Sequence, residues 1–297
     1  MPSSTNYWMC IAGLVYLVAG VCFHREEIGM DRGWNKLIAL GSTLIAVSLA
    51  MFAPEHFRGP AFVQDSVPSW MPGHAFWAYF VGCALLAAAT SLALDKFVCL
   101  SSSLQGLMFF LFVCMIFLPY AVTHPYDRFG WAYALRDLSF AAGASALAGA
   151  LTRVSRPRQA QWIISVARIV IAIAAVFYAI QHFLHPEFAP GIPLETTMPG
   201  WVPYPIGWAY LAGVILLGAG IALALNRRPR MAAATIGALM TALTLGLYLP
   251  ILIFARSGST ADINDALNNI ADTLLYAGAT LALAQSLPRS YDRVEKA

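Results

Sequence analysis

Nine stretches of this chain carry few charges and run for roughly twenty residues, about what a helix needs to cross a ~30 Å hydrocarbon core. They cover 7–23, 37–53, 74–94, 104–122, 131–151, 161–183, 205–225, 231–254 and 266–287. Period-two alternation is absent, which argues against a barrel, and backbone polar groups in lipid must pair internally, which leaves helices. Composition agrees, because with 11% of 297 residues charged the chain cannot cover a water-soluble surface of this size. The expectation is an all-α, polytopic membrane protein of about nine transmembrane helices, with the lipid bilayer as its first partner. The stretch 7–23 follows a segment, Met1 to Asn6, without Lys or Arg, and no small-residue cleavage site precedes His24. It reads as a retained helix rather than a signal peptide.

Nine spans put successive loops on alternate sides. One side then collects thirteen Lys and Arg residues, from Arg25, Arg32 and Lys36 through Lys96, Arg153, Arg156, Arg158, Arg227, Arg228 and Arg230 to Arg289, Arg293 and Lys296. The other side has Arg58, Arg128 and Arg256, while Arg136 and Arg168 fall within helices. By the positive-inside rule the N-terminus lies outside and the C-terminus in the cytoplasm, in a bacterial cytoplasmic membrane. The net charge of +3 is therefore accounted for by loop anchors and points to no nucleic acid.

The chain also repeats itself. Pro68, Trp70, Pro72, Trp77, Ala78 and Tyr79 recur 131 positions later as Pro199, Trp201, Pro203, Trp208, Ala209 and Tyr210. His56-Phe57 parallels His182-Phe183 at an offset of 126, Pro119 parallels Pro250 at 131, and Asp137 with Gly143 parallels Asp272 with Gly278 at 135. These matches divide the chain into an N-terminal helix and loop (1–36), a first four-helix unit (37–151), a basic linker (152–160), a second unit (161–288) and a tail (289–297). An even number of helices per unit makes the repeat parallel.

A helix ending in His-Phe, a loop closing on Trp-x-Pro, and Trp-x-Tyr entering an apolar helix resemble the DoxX-like membrane protein family. The second unit carries the pattern most fully, in His182-Phe183, Met198 to Pro203 and Trp208 to Gly213. Members are typically single four-helix units, so this chain resembles a tandem fusion with one added helix. Many relatives carry a Glu shortly after that glycine, where this chain has apolar residues such as Ala84 and Ile215. The resemblance implies a membrane location and a link to quinone-coupled sulfur oxidation, with a quinone as ligand and a redox or assembly protein as partner.

The candidate site residues are His56, Trp70, Arg136, Asp137, His182, Trp201 and Asp272, all assigned to the outer side or the outer portion of a helix. An ionisable residue inside a membrane helix is costly and needs a partner or a cavity. One reading opposes His and Asp in each unit, around a shallow cavity that exchanges a proton or binds a quinone head group. The other uses each pair to fix helix packing. Arg136 and Asp137 are neighbours on a helix and point different ways, so they are not expected to pair with each other. Arg136 either anchors the outer interface or binds an anionic substrate or lipid. The Trp residues read as an interfacial belt or as a stacking surface.

No cofactor motif or nucleophile constellation accompanies these residues, and whether the chain is an enzyme stays open. His56, His74, His124, His182 and His185 lack the i, i+4 spacing of a zinc motif, so no metal site is expected. Cys10, Cys22, Cys83, Cys99 and Cys114 contain no Cys-x-x-Cys. The Gly213, Gly218 and Gly220 series suits close helix packing. Besides a quinone-linked subunit, a structural or assembly protein and a small-solute transporter remain as alternatives.

Overall fold

A computed structural model describes residues 3–255 and 259–288. The described residues form nine long helices: α1 (Ser4–Phe23), α2 (Trp34–Arg58), α3 (His74–Ala93), α4 (Val98–Thr123), α5 (Arg128–Leu151), α6 (Pro157–Leu184), α7 (Pro205–Ala224), α8 (Pro229–Ala255) and α9 (Thr260–Ser286). Each of the nine apolar stretches lies within one of them, give or take a residue at the C-terminal end. Seven, all but α5 and α9, are long and apolar enough to cross a membrane. Arg256, Arg289, Arg293 and Lys296 of the charge count lie outside the described residues, as does the tail 289–297.

The two exceptions are central to the packing. Successive helices from α2 to α9 pack on one another, α9 returns to α2 to close the ring, and α5 and α9 also pack against each other across it. Arg136 and Asp137 lower the hydropathy of α5; Asp265, Asn268, Asn269 and Asp272 do so for α9. A helix surrounded by protein can carry such residues, whereas a lipid-facing helix cannot. Close approach depends on small side chains: a Cβ built on Gly143 would stand 2.5 Å from the Ala279 Cα, and one on Gly278 would stand 2.8 Å from the Ile45 backbone nitrogen. Of the series read as packing glycines, Gly213 faces the Phe183 ring and Gly220 faces Val176, as expected. Gly218 has nothing within 4 Å.

α1 lies outside the ring, against α2 and α3, where Tyr16 and Thr90 hydroxyls bond at 2.7 Å. Leu14, Val15 and Val18 leave its other face apolar and exposed, as lipid contact requires.

Local geometry recurs along the chain. The indole N–H of Trp77 donates to the Pro72 carbonyl at 3.1 Å, and that of Trp208 to Pro203 at 3.1 Å. A π-helical turn spans Val113–Phe117 in α4, and another spans Thr244–Tyr248 in α8. Pro119 and Pro250 follow these turns; a proline has no N–H to give and its ring crowds the carbonyl four residues back, which loosens the ladder. Left-handed residues also recur in the short loops before α4 and α8, at Asp95 and Phe97 and at Asn226 and Arg228.

At the end of the bundle carrying 152–156 and 225–228, arginines cap helix C-termini, whose last carbonyls lack intrahelical donors. Arg153 donates to the Ser286 carbonyl, Arg168 to those of Leu223 and Ala224, and Arg230 to Ala284 at 2.7 Å.

Candidate functional site

The polar residues of α5 and α9 meet beneath the loop 185–204. Arg136 Nε donates to Asp137 Oδ1 at 2.8 Å, and Arg136 Nη1 donates to Asp272 Oδ2 at 2.9 Å. Both Asp side chains are buried, and 15% of the Arg136 side chain remains open. Aromatic rings frame the guanidinium, with Tyr133 at 5.0 Å, Phe117 at 5.7 Å and Phe140 at 5.9 Å from its carbon. Among the described residues Nε and Nη1 are the only Arg136 nitrogens with a hydrogen bond, which leaves Nη2 as an open donor.

Two expectations are corrected here. Arg136 and Asp137 do pair, although they are adjacent in sequence: Cβ directions diverge, but a long flexible side chain can curl back to its neighbour, and burial leaves the carboxylate little alternative. No hydrogen bond joins His56 to Asp137 or His182 to Asp272. His182 Nδ1 bonds the Tyr178 carbonyl at 2.6 Å and Nε2 accepts from the Gly191 N–H at 3.2 Å, so the ring is a neutral Nδ1–H tautomer used up by backbone. His56 Nδ1 likewise bonds the Phe52 carbonyl at 3.0 Å. Each histidine closes the last turn of its helix, and Asp272 is held by Arg136 instead.

The Gly191 contact belongs to a feature that a reading of 185–204 as an outer loop does not contain. Ala189, Ile192 and Leu194 are fully buried between helices. Non-helical backbone survives in such a place only if its polar groups are satisfied by protein. The Ala189 carbonyl accepts from Tyr248 Oη at 3.3 Å, that of Ile192 from Thr273 Oγ1 at 3.3 Å, and that of Leu194 from Arg128 Nη1 at 3.1 Å. Glu195 follows, accepting from Tyr133 Oη at 2.6 Å. Arg128 lies over the Phe129 and Phe188 rings at 4.0 and 4.4 Å. The apolar run Phe188 to Leu194 inside a loop was the available signal.

Arg128 is positioned by the start of α5, where Asp127 caps the helix through the Phe129 N–H at 2.9 Å. That bond first, and the Tyr120 hydroxyl second, hold the Asp127 carboxyl below the usual range.

A second polar contact lies beside the cluster. Glu55, buried near the end of α2, accepts from Asn264 Nδ2 at 3.2 Å and from Asn268 Nδ2 at 3.0 Å, one turn apart on α9. Neither Tyr133 nor Glu195 was among the sequence candidates; Glu195 sits in a loop and Glu55 near a helix end, where a charge is ordinary until the fold encloses it.

The tryptophans stay apart from this cluster. Trp70 is 70% exposed, and Trp201 is 45% exposed with the Phe254 ring 5.2 Å away. His74 and the segment Gln64 to Ser69 line an open groove of about 410 Å³ with Met115 and Ile116. His124 stacks on Tyr120 at 4.5 Å, and His185 pairs with Glu187 at 3.2 Å. Set beside known proteins, the chain matches no family model, no curated protein and no solved structure.

Proposed function

We propose that this chain is a DoxX-like membrane protein that serves as the membrane subunit of a quinone-linked redox complex and holds a quinone head group at Arg136. The observation that carries this reading is a guanidinium with one open donor, set among the Phe117, Tyr133 and Phe140 rings. A quinone is a planar ring with carbonyl acceptors; Nη2 would donate to a carbonyl while the aromatic frame takes the ring face. Asp137 and Asp272 orient the guanidinium by occupying its other side.

The architecture proposed with it is nine spans, made of two parallel four-helix units and an added first helix, with the N-terminus outside and the C-terminus in the cytoplasm of a bacterial inner membrane. The paired Trp–Pro bonds, π-helical turns and left-handed turns, each spaced by 131 residues, support the duplication. Arg153, Arg168 and Arg230 gathered at one end support the orientation.

Titration of the purified protein with a quinone analogue tests the ligand. Replacing Arg136 by Gln removes a charged donor worth about 1.5–3 kcal/mol, so binding should weaken by roughly ten- to a hundredfold. Trp201→Ala, away from the guanidinium, should bind as wild type does. Equal affinity in a folded Arg136→Gln protein would sink the quinone site. A structural or assembly role is the second reading, favoured by the same ion pairs, because they tie α5 to α9 across the ring.

A further inference from the structure

From the balance of donors and acceptors around Asp272, we infer that the inner face of α9 binds one proton, held by the Asp272 carboxyl and exchanged with the end of the bundle that carries the 185–204 loop. This inference stands apart from the quinone reading and would survive its failure.

Charge comes first. Arg136 offers one positive charge to two buried carboxylates, Asp137 and Asp272, so the triad carries a net charge of −1. Other elements packed around Asp272 do not correct this. Glu55 from α2 and Glu195 from the loop lie within electrostatic range of it, as do the hydroxyls of Tyr133 on α5, Tyr178 on α6 and Tyr248 on α8. A net charge in such surroundings is expensive, and one added proton removes it.

Hydrogen bonding gives a second, independent reason. Asn269 is 1% exposed and its Oδ1 has no partner, although its Nδ2 donates to the Asp265 carbonyl at 2.8 Å. The Asn268 Oδ1 is likewise buried without a partner, while its Nδ2 is committed to Glu55. Flipping either amide would set oxygen against oxygen, so the network itself fixes both orientations. These residues precede Asp272 by three and four positions, which places them one turn away on the same side of the helix. A buried acceptor without a donor costs about 1–3 kcal/mol. On α9, one turn from Asp272, two buried acceptors therefore lack donors, and a carboxyl that has taken up a proton becomes a donor.

A route is present as well. Asp265 is exposed toward the start of α9, and Asn268, Asn269 and Asp272 follow it inward at single-turn spacing, with Glu55 facing Asn268. In the step proposed, the Asp272 carboxylate takes a proton from outside water and becomes a neutral acid; no electron moves.

Infrared spectroscopy of the full chain in lipid, recorded over about pH 5 to 9, reads the protonated acid directly through its C=O stretch. A band should appear that shifts in D₂O, shifts again with ¹³C-aspartate but not with ¹³C-glutamate, is lost in Asp272→Asn, and moves to lower pH in Asp137→Asn, where the charges of Arg136 and Asp272 alone already balance. The isotope arm needs no variant, so a misfolded Asp272→Asn leaves the test intact. Absence of any aspartic acid band across that range, or its persistence in a folded Asp272→Asn, would overturn the inference. Exchange of choline for sodium at constant pH should leave the band unchanged; its disappearance would mean an alkali cation occupies the place assigned to the proton, which also overturns it.

Discussion

Arg136 shows how far one side chain can organise its surroundings. It bridges Asp137 on its own helix and Asp272 on α9. Removing one member of a buried ion pair strands the others and costs about 3–5 kcal/mol, far more than the pair contributes over an apolar substitute. Arg136→Ala should therefore lower the thermal midpoint sharply in a detergent melt. Arg136→Lys should recover little of it, because an ammonium lacks the planar fork that reaches two carboxylates from one position. If both variants melt with wild type, the bridge contributes nothing to the folded state. The sequence assigned Arg136 to an interface anchor or an anionic ligand, and it could not show which acid would answer it.

Among the elements, α5 and α9 are the least apolar long helices and the most enclosed. Their contact relies on the absence of a side chain at Gly143, where an added methyl would press on the Ala279 backbone. A backbone cannot rotate out of the way as a side chain can, so Gly143→Ala should destabilise by about 1–3 kcal/mol, the range for overpacking. Gly218, with open space around it, offers the control. There Ala should be neutral or should stabilise by up to about 1 kcal/mol through its better helix propensity. Comparing the two melts checks the packing: equal shifts would mean that α5 and α9 do not approach as closely as described. Repetition of the glycine in sequence does not distinguish these positions; only the neighbour does.

For the molecule as a whole, the closed ring has one end capped by arginines and the other covered by the 185–204 loop. Tyr126 and Val154 project fully from opposite ends of α5 and its flanking loops. In a background without the native cysteines, a cysteine at Tyr126 should react with an impermeant thiol reagent added outside intact cells. One at Val154 should react only after the membrane is opened. Labelling of both from the same side would remove the orientation, the span count and the outer position of the site together.

Helix number, approximate limits and the gathering of basic residues were legible in the sequence, because burial in lipid demands about twenty apolar residues per crossing and leaves charges for the loops. The recurrence of Trp, Pro and His was legible too, and each of those residues makes local bonds that four or five positions suffice to specify. What belonged to the tertiary structure alone were the pairings between distant segments: Asp272 with Arg136, Glu55 with Asn268, Glu195 with Tyr133, and Gly191 with His182. A buried charge must find a partner, but the partner is chosen by which helices the packing brings together, and sequence distance carries no record of that choice.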